Sequence, residues 1–306
     1  MSHPRAIVTG GAGFVGSHLV DRLMADGWAV MVIDDLSAGR ATSLPDAVRL
    51  EQLDVVADAI EGVIDAWRPG VVYHLAAQTS VPRSMEAPLR DLAVNVVGTH
   101  RTAAAARASG AQRFVFVSSG GAIYGETPRA ANEATRPAPA SYYGIHKLAA
   151  EGHVMLSGIP YAIVRPSNIY GPRQSSGLEG AVVATFVGQA LARQPLTIDG
   201  DGRQTRDFVH VRHVVEAMVR LGDIRAPIGT WNVASGRRLS IIALAGIVER
   251  AAGIPLGRVH RPMRSGDVRD AAASAARLRA LGWKPSVPVS RGIRELLVAD
   301  ASPALP

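Results

Sequence analysis

Three glycines within seven residues, Gly10, Gly13 and Gly16 of the run TGGAGFVG (residues 9–16), constrain this chain more than any other feature. A β-branched run, Arg5–Thr9, precedes them, and an amphipathic stretch, Gly13–Asp26, follows. A strand that turns into a helix through glycines presents bare backbone N–H groups and the positive end of the helix to whatever sits in the turn. A Cβ there would block close approach, so the ligand that suits such a turn is a pyrophosphate.

The next segments extend the pattern. Strand candidates fall at Trp28–Ile33, Arg49–Leu53, Val71–Leu75, Arg113–Ser118 and Tyr161–Arg165, with helix candidates at Val56–Trp67, Pro88–Ser109 and Ser141–Ser157. Strict alternation of this kind predicts right-handed βαβ crossovers and an α/β fold with a doubly wound parallel (Rossmann) sheet over residues 1–165. After Pro166 glycine and proline become frequent. Shorter helices at Val211–Leu221, Ile241–Ala252, Ser274–Leu281 and Arg291–Ala299 predict a smaller C-terminal α/β substrate-binding lobe over residues 166–306, with strands and helices free to cross that approximate boundary.

Asp34 ends the second strand candidate, 21 residues beyond Gly13. An acid there accepts hydrogen bonds from the ribose 2′- and 3′-hydroxyls and repels a 2′-phosphate, which favours NAD over NADP. Its neighbours Asp35, Leu36, Ser37 and Gly39 are counted with the cofactor site. Asp54, after the third strand, is a candidate for the adenine together with Val55; a surface acid is the alternative.

Tyr143 and Lys147 lie four residues apart at the start of a helix candidate, so they share one face. A lysine cation beside a phenol stabilises its anion and brings Tyr143 toward service as a base. Tyr142 is the competing phenol, but its partner at the same spacing is His146. Ser118 and Ser119 end the fifth strand candidate, at the carboxyl edge where open α/β sheets bind ligands. One of the two hydroxyls is expected on the substrate oxygen; the residues alone leave open which.

Composition narrows the rest. The chain is 47% hydrophobic, enough for a sizeable core. No apolar run approaches the roughly 18 residues of a membrane span. Met-Ser-His-Pro-Arg leads straight into a strand, without the apolar core of a secretory leader, and there is no cysteine. These features predict a cytoplasmic protein without disulfides, thiolate metal sites or a cysteine nucleophile; no metal is expected. The net charge of +7 is spread through the chain, mostly as arginine, with 5% aromatic residues, which points to an anionic small ligand and away from nucleic acid.

Taken together, several segments resemble the extended short-chain dehydrogenase/reductase family, and within it the UDP-glucose 4-epimerase branch. They are TGGAGFVGSHLVDRL (residues 9–23), HLAAQTSVPRSMEAP (74–88), Asn95 before Val-Val-Gly-Thr, FVSSGGAIYGE (116–126), YYGIHK (142–147), RPSNIYGPRQ (165–174), DGDGRQTRDFVHV (199–211) and RPMRSGDVRD (261–270). The resemblance implies an NAD-dependent isomerase that inverts C4 of a UDP-hexose through a 4-keto sugar. Tyr143 would be the base and Lys147 its partner on the nicotinamide ribose. Gly10, Gly13, Phe14, Val15 and Gly16 would lie on the pyrophosphate, and Leu75, Ala76, Ala77 and Asn95 would line the dinucleotide channel. Asn168, Arg206 and Arg264 would grip the diphosphate, for which guanidinium forks are well matched. The family's common homodimer would use the Pro88–Ser109 and Ser141–Ser157 helices.

Departures from the family pattern shape the reading. Gly120 stands where a Ser or Thr is usual, four residues before Tyr124, so Ser119 is the candidate to take over. His146 replaces a serine and Tyr142 a proline. Sugar-nucleotide 4,6-dehydratases carry an Asp-Glu pair where this chain has Gly120-Gly121-Ala122, which disfavours the dehydratase or decarboxylase alternative. A non-catalytic NAD-binding sensor or scaffold is the alternative of another class; it has no need of both Tyr143 and Lys147. Ala271 stands where a large residue commonly limits space near the sugar C2, so an N-acetyl group is expected to fit, admitting UDP-GlcNAc and UDP-GalNAc beside UDP-glucose and UDP-galactose.

Overall fold

A computed structural model describes residues 4–175, 181–263 and 268–301. Its strands are β1 (Arg5–Thr9), β2 (Ala29–Ile33), β3 (Arg49–Glu51), β4 (Val71–His74), β5 (Arg113–Val117), β6 (Tyr161–Pro166), β7 (Asn168–Tyr170), β8 (Leu196–Asp199), β9 (Thr205–His210), β10 (Gly229–Val233), β11 (Arg238–Ser240), β12 (Arg258–Arg261) and β13 (Asp270–Ala271). The larger helices are α1 (Phe14–Ala25), α2 (Ile60–Trp67), α3 (Thr99–Ala108), α4 (Tyr142–Leu156), α5 (Val182–Leu191), α6 (Val211–Gly222), α7 (Ile241–Ala252) and α8 (Val289–Ala301).

Seven parallel strands form the central sheet in the order β10-β6-β5-β4-β1-β2-β3. Alternate residues of each strand feed opposite faces, as the pleat requires. Ala6, Val8, Tyr73 and Val115 pack toward α1 and α6, while Ile7, Val72, Phe114 and Phe116 pack toward α2, α3 and α4. The chain reverses direction across the sheet between β1 and β4, so the crevice for a ligand opens above their carboxyl ends.

The first six strands lie where the alternation predicts them. The division at residue 165 does not follow the layers, however: β10 closes the parallel sheet beside β6, and α6 packs on α1. Arg113, fully buried, fastens this return by donating to the carbonyl of Leu221 in the last turn of α6 and to that of Pro227 beyond it. The remaining lobe holds β11-β9-β13, with β7 also on β9, and a β8–β12 pair, over a core of Tyr170, Phe186, Leu244, Ile293 and neighbours from α5, α7 and α8.

Other segments depart from the sequence pattern. The expected helix Pro88–Ser109 runs without a break from Pro88 to Ala108, but with a π-helical turn at Ala93–Gly98 between Pro88–Leu92 and α3. A short helix at Val81–Glu86 and the turn of helix at Gly120–Ile123 are too short to show a period, whereas α5 buries Val183, Phe186, Val187 and Ala190 at helical spacing; all three lie outside the expected elements. The second helix starts at Ile60 because Asp54 and Asp58 tie the preceding residues into a turn.

Candidate active site

The glycine turn forms as the spacing requires. Gly10 has φ +68°, and a Cβ on it would stand 2.6 Å from the Ala76 nitrogen. A Cβ on Gly16 would stand 2.1 Å from the Gly10 carbonyl oxygen, so the helix approaches the turn to contact distance only without a side chain. Gly13 caps α1 with no side-chain oxygen over the first-turn N–H groups and no acid beside them, which leaves Phe14, Val15 and Gly16 presenting donors and a positive dipole end.

Asp34 is buried beneath this turn and accepts from the Ala12 and Leu36 N–H groups, both at 2.9 Å. Burial pushes its carboxyl up, and the two backbone donors oppose that push. Leu36, at φ +58°, and Asp35, which holds the Ser37 N–H and hydroxyl, shape the loop. After Gly39 the loop returns to the turn through the Arg40 N–H on the Ala12 carbonyl. Asp54, expected at the adenine, accepts the Val56 N–H at 2.7 Å as part of the turn described above. Its neighbour Val55 is buried in the core under Gly98.

Across the crevice, Leu75, Ala76 and Ala77 are half-buried, set by a chain of hydrogen bonds that the motif reading did not single out. Thr99 donates to the Asn95 carbonyl, so its oxygen accepts from Nε2 of buried His74 at 3.0 Å. The other ring nitrogen, Nδ1, then accepts from the Thr9 hydroxyl at 2.7 Å, while Thr9 receives the Ala76 N–H. Burial, with the charge of Lys147 nearby, holds the imidazole down to about 3, which keeps this neutral tautomer in place. Asn95 lies in the π-helical turn, a feature frequent at functional sites. Among the described residues nothing donates to its buried carboxamide oxygen.

Tyr143 lies in the N-terminal turn of α4 and Lys147 one turn further on; the helix is capped by Ser141 accepting the Gly144 N–H. The Ser119 hydroxyl neighbours the Tyr143 phenol and favours its anion. Ser118 faces the interior instead, donating to Oε1 of Glu151 at 2.6 Å. Lys147 is buried with its ammonium 4.4 Å from the centre of the Phe116 ring. Burial brings the amine down to about 7 despite the opposing charges of Glu151 and Asp91. The expectation that lysine lowers the phenol needs correction for the protein alone. Burial pushes Tyr143 up to about 12, with the Ser119 hydroxyl opposing and the Asp91 charge adding to the rise.

Glu151 sits one turn beyond Lys147, a spacing that would have revealed it. It receives the Arg165 guanidinium as a fork, and Arg165 also donates to the Tyr124 hydroxyl, which donates to Asn232 on β10. This buried network fixes α4 against β6 and β10. Asp91, on the Pro88–Leu92 helix, and His146 of α4 form a second buried pair, also absent from the motif reading.

The lobe sheet brings three candidate substrate residues together. Ala271 of β13 is the register partner of Arg206 on β9, and Asn168 of β7 pairs two residues further along β9. Asn168 also faces the serine-bearing turn, its side-chain oxygen 3.8 Å from where a Gly121 Cβ would stand. The Arg206 guanidinium donates to the carbonyls of Thr205 and Arg269. Arg264 lies outside the described residues.

Residues 6–234 match the NAD dependent epimerase/dehydratase family, which is more than half of the chain. This chain belongs to that family. It is 41% identical to the UDP-glucose 4-epimerase of Mycolicibacterium smegmatis over 300 residues, which is 94% of this chain and 96% of that one. The structure is similar to that of Thermus thermophilus UDP-glucose 4-epimerase in complex with NAD, with a TM-score of 0.92, 36% identity, and 98% and 100% of the two chains covered. It is also similar to Thermotoga maritima UDP-glucose 4-epimerase with UDP-glucose, with a TM-score of 0.89, 33% identity, and 96% and 97% covered. The cofactor of the family is NAD, and the glycine cradle, the buried Asp34 carboxylate and the unpartnered Asn95 oxygen fit a dinucleotide.

Proposed function

We propose that this chain is an NAD-dependent UDP-hexose 4-epimerase. The observation that carries the reading is the group at the head of α4: Tyr143 next to Ser119 and one helical turn from buried Lys147, with glycine at positions 120 and 121. A Cβ on Gly120 would stand 3.0 Å from the Arg165 carbonyl oxygen, so the turn packs closely and carries no acid for water elimination.

In this reading Tyr143 acts as the phenolate, its oxygen taking the proton of the sugar 4-hydroxyl while the Ser119 hydroxyl steadies that sugar oxygen; the cationic nicotinamide of bound NAD would offset the burial that keeps the phenol protonated in the protein alone. Lys147 supplies the neighbouring donor. The Gly10, Gly13 and Gly16 turn and Asp34 would hold NAD, whose chemistry would be to take up the C4 hydride and give it back. The 4-keto sugar turns over about its link to the diphosphate, and Tyr143 returns the proton after the opposite face is presented. Asn168, Arg206 and Arg264 hold the nucleotide, and the hexose is left free to turn. Tight grip on the diphosphate with loose grip on the sugar is what inversion at C4 needs. The M. smegmatis relative, at 41% identity, supports UDP-glucose/UDP-galactose as the first pair to test.

The same reading makes the chain a cytoplasmic homodimer. Leu89, Val97, Ile145 and Leu156 are exposed on the Pro88–Ser109 and Ser141–Ser157 segments, which supports a helical dimer face. Among the described residues no helix is long and apolar enough to cross a membrane.

The test is to incubate the purified protein with UDP-glucose, UDP-GlcNAc and dTDP-glucose separately and resolve products by chromatography and mass. Conversion of a UDP-sugar to its C4 epimer at unchanged mass is the expected result. Loss of one water would instead mean a dehydratase. Inertness toward all three in a protein that retains NAD would favour a sensor.

A further inference from the structure

The reacting pair has a second, deeper layer of support. Asp91, 1% exposed, precedes the π-helical turn; its Oδ1 accepts from the Gln78 and Asn95 amides at 2.7 and 3.1 Å. Its Oδ2 lies 2.6 Å from Nδ1 of His146, also buried. An ionised carboxylate only accepts, so Nδ1 of His146 carries the proton and donates it. His146 sits between Tyr143 and Lys147 on the buried face of α4, with its ring stacked beside Tyr142. The resemblance to the family expects serine at this position, so the imidazole is a feature of this chain.

We infer that Asp91 and His146 act as a positioning pair for Tyr143 and Lys147, a buried carboxylate–imidazole bond that locks α4 to the preceding helices and fixes one negative charge beside the base. The inference rests on the epimerase reading for the roles of Tyr143 and Lys147. Two effects follow from the geometry. The hydrogen bond spans 55 residues of chain and sets the register of α4 at the turn that carries the phenol. The Asp91 charge also opposes a Tyr143 phenolate and favours a Lys147 ammonium, and the imidazole donor absorbs part of that charge.

Of the other charged groups on the elements packed against α4, Arg83, Glu86 and Arg90 of the two preceding short helices are exposed to solvent. On α4 the titratable groups include Tyr142 and Glu151, the latter held by Arg165 of β6. From β4 comes His74, kept neutral by burial.

The experiment compares His146→Asn, whose amide places an N–H near the Nδ1 position, with His146→Leu, Asp91→Asn and the double variant Asp91→Asn/His146→Leu, all as NAD-loaded enzyme. With UDP-glucose, His146→Leu is expected to lower kcat about tenfold with KM within about twofold, because misplacing a reacting group costs rate more than binding. The acidic limb of its kcat–pH profile is expected to move upward, since the Asp91 charge then acts undiminished on the phenol. His146→Asn is expected to recover most of the rate, and the double variant to match Asp91→Asn alone, as coupled residues do. Unchanged kcat and profile in His146→Leu, or equal impairment in His146→Asn, would overturn the inference.

A substrate-free readout separates this from failure of the epimerase reading. Tyrosinate difference absorbance, read against Tyr143→Phe, reports ionisation of Tyr143 whichever sugar is turned over. An upward move in His146→Leu supports the pair even if UDP-glucose is inert. An unmoved titration overturns it even if UDP-glucose is epimerised.

Discussion

Ser118 donates its hydroxyl to Glu151 at 2.6 Å, and that bond decides how the adjacent serines divide their work. With Ser118 committed to the interior, Ser119 is left for the phenol. Ser119→Ala is therefore expected to lower kcat about a hundredfold with little change in melting temperature. Ser118→Ala is expected to leave kcat within about threefold and cost about 1–3 kcal/mol of stability, because a buried acceptor loses a donor. Steady-state kinetics and urea unfolding of both variants check the division; the reverse pattern would refute it.

Gly16→Ala forces a methyl to 2.1 Å from the Gly10 carbonyl oxygen. The turn or the helix must move, at a cost of about 1–3 kcal/mol. The expected outcome is a lower melting temperature together with loss of co-purifying NAD, measured by absorbance after acid release. Full NAD occupancy at unchanged stability would show that the turn has slack.

Acid stability follows from His74. Its unfolded pKa is near 6.5 and its folded value about 3, so the unfolded chain binds a proton through that window and the folded chain does not. Stability is full above about pH 6.5 and falls as the pH drops toward 3, by about 2 kcal/mol at pH 5 from this group. His210, held down to about 4 chiefly by burial, adds to the same trend. Urea unfolding at pH 7 and pH 5 measures the drop, and His74→Asn is expected to shrink it. An equal drop in the variant would remove His74 from the account.

Ala271 is buried beside Arg206 in the lobe sheet. Ala271→Tyr adds a ring where the family resemblance places the sugar C2 substituent. The expected result is a tenfold or greater loss of kcat/KM for UDP-GlcNAc, of the order that pocket shape alone supplies, with UDP-glucose within about threefold. Equal losses for both sugars would mean that the residue does not discriminate at C2.

Much of this protein was legible before folding because its signals are local. The glycine turn, Asp34 at a strand end and the Tyr143–Lys147 spacing each depend on a few consecutive residues whose geometry the backbone fixes. Where local signals were weak, the reading slipped. The helix expected over Pro88–Ser109 carries a π-helical turn that apolar periodicity does not encode, and the helical spacing of Val183, Phe186, Val187 and Ala190 in α5 is masked by the glycines around it.

Sequence alone determined the doubly wound sheet, because strand and helix periods and the turn between them are written residue by residue. It also determined the dinucleotide cradle, since only glycine tolerates those contacts. Tertiary structure decided which serine meets the phenol, because a partner 33 residues away on α4 claims Ser118. It decided that β10 belongs to the first sheet, because an edge strand is chosen by packing and not by order in the chain. It also decided the protonation balance of Tyr143 and Lys147: spacing puts the two on one face, but burial, a property of the assembled core, sets the energy of each charge.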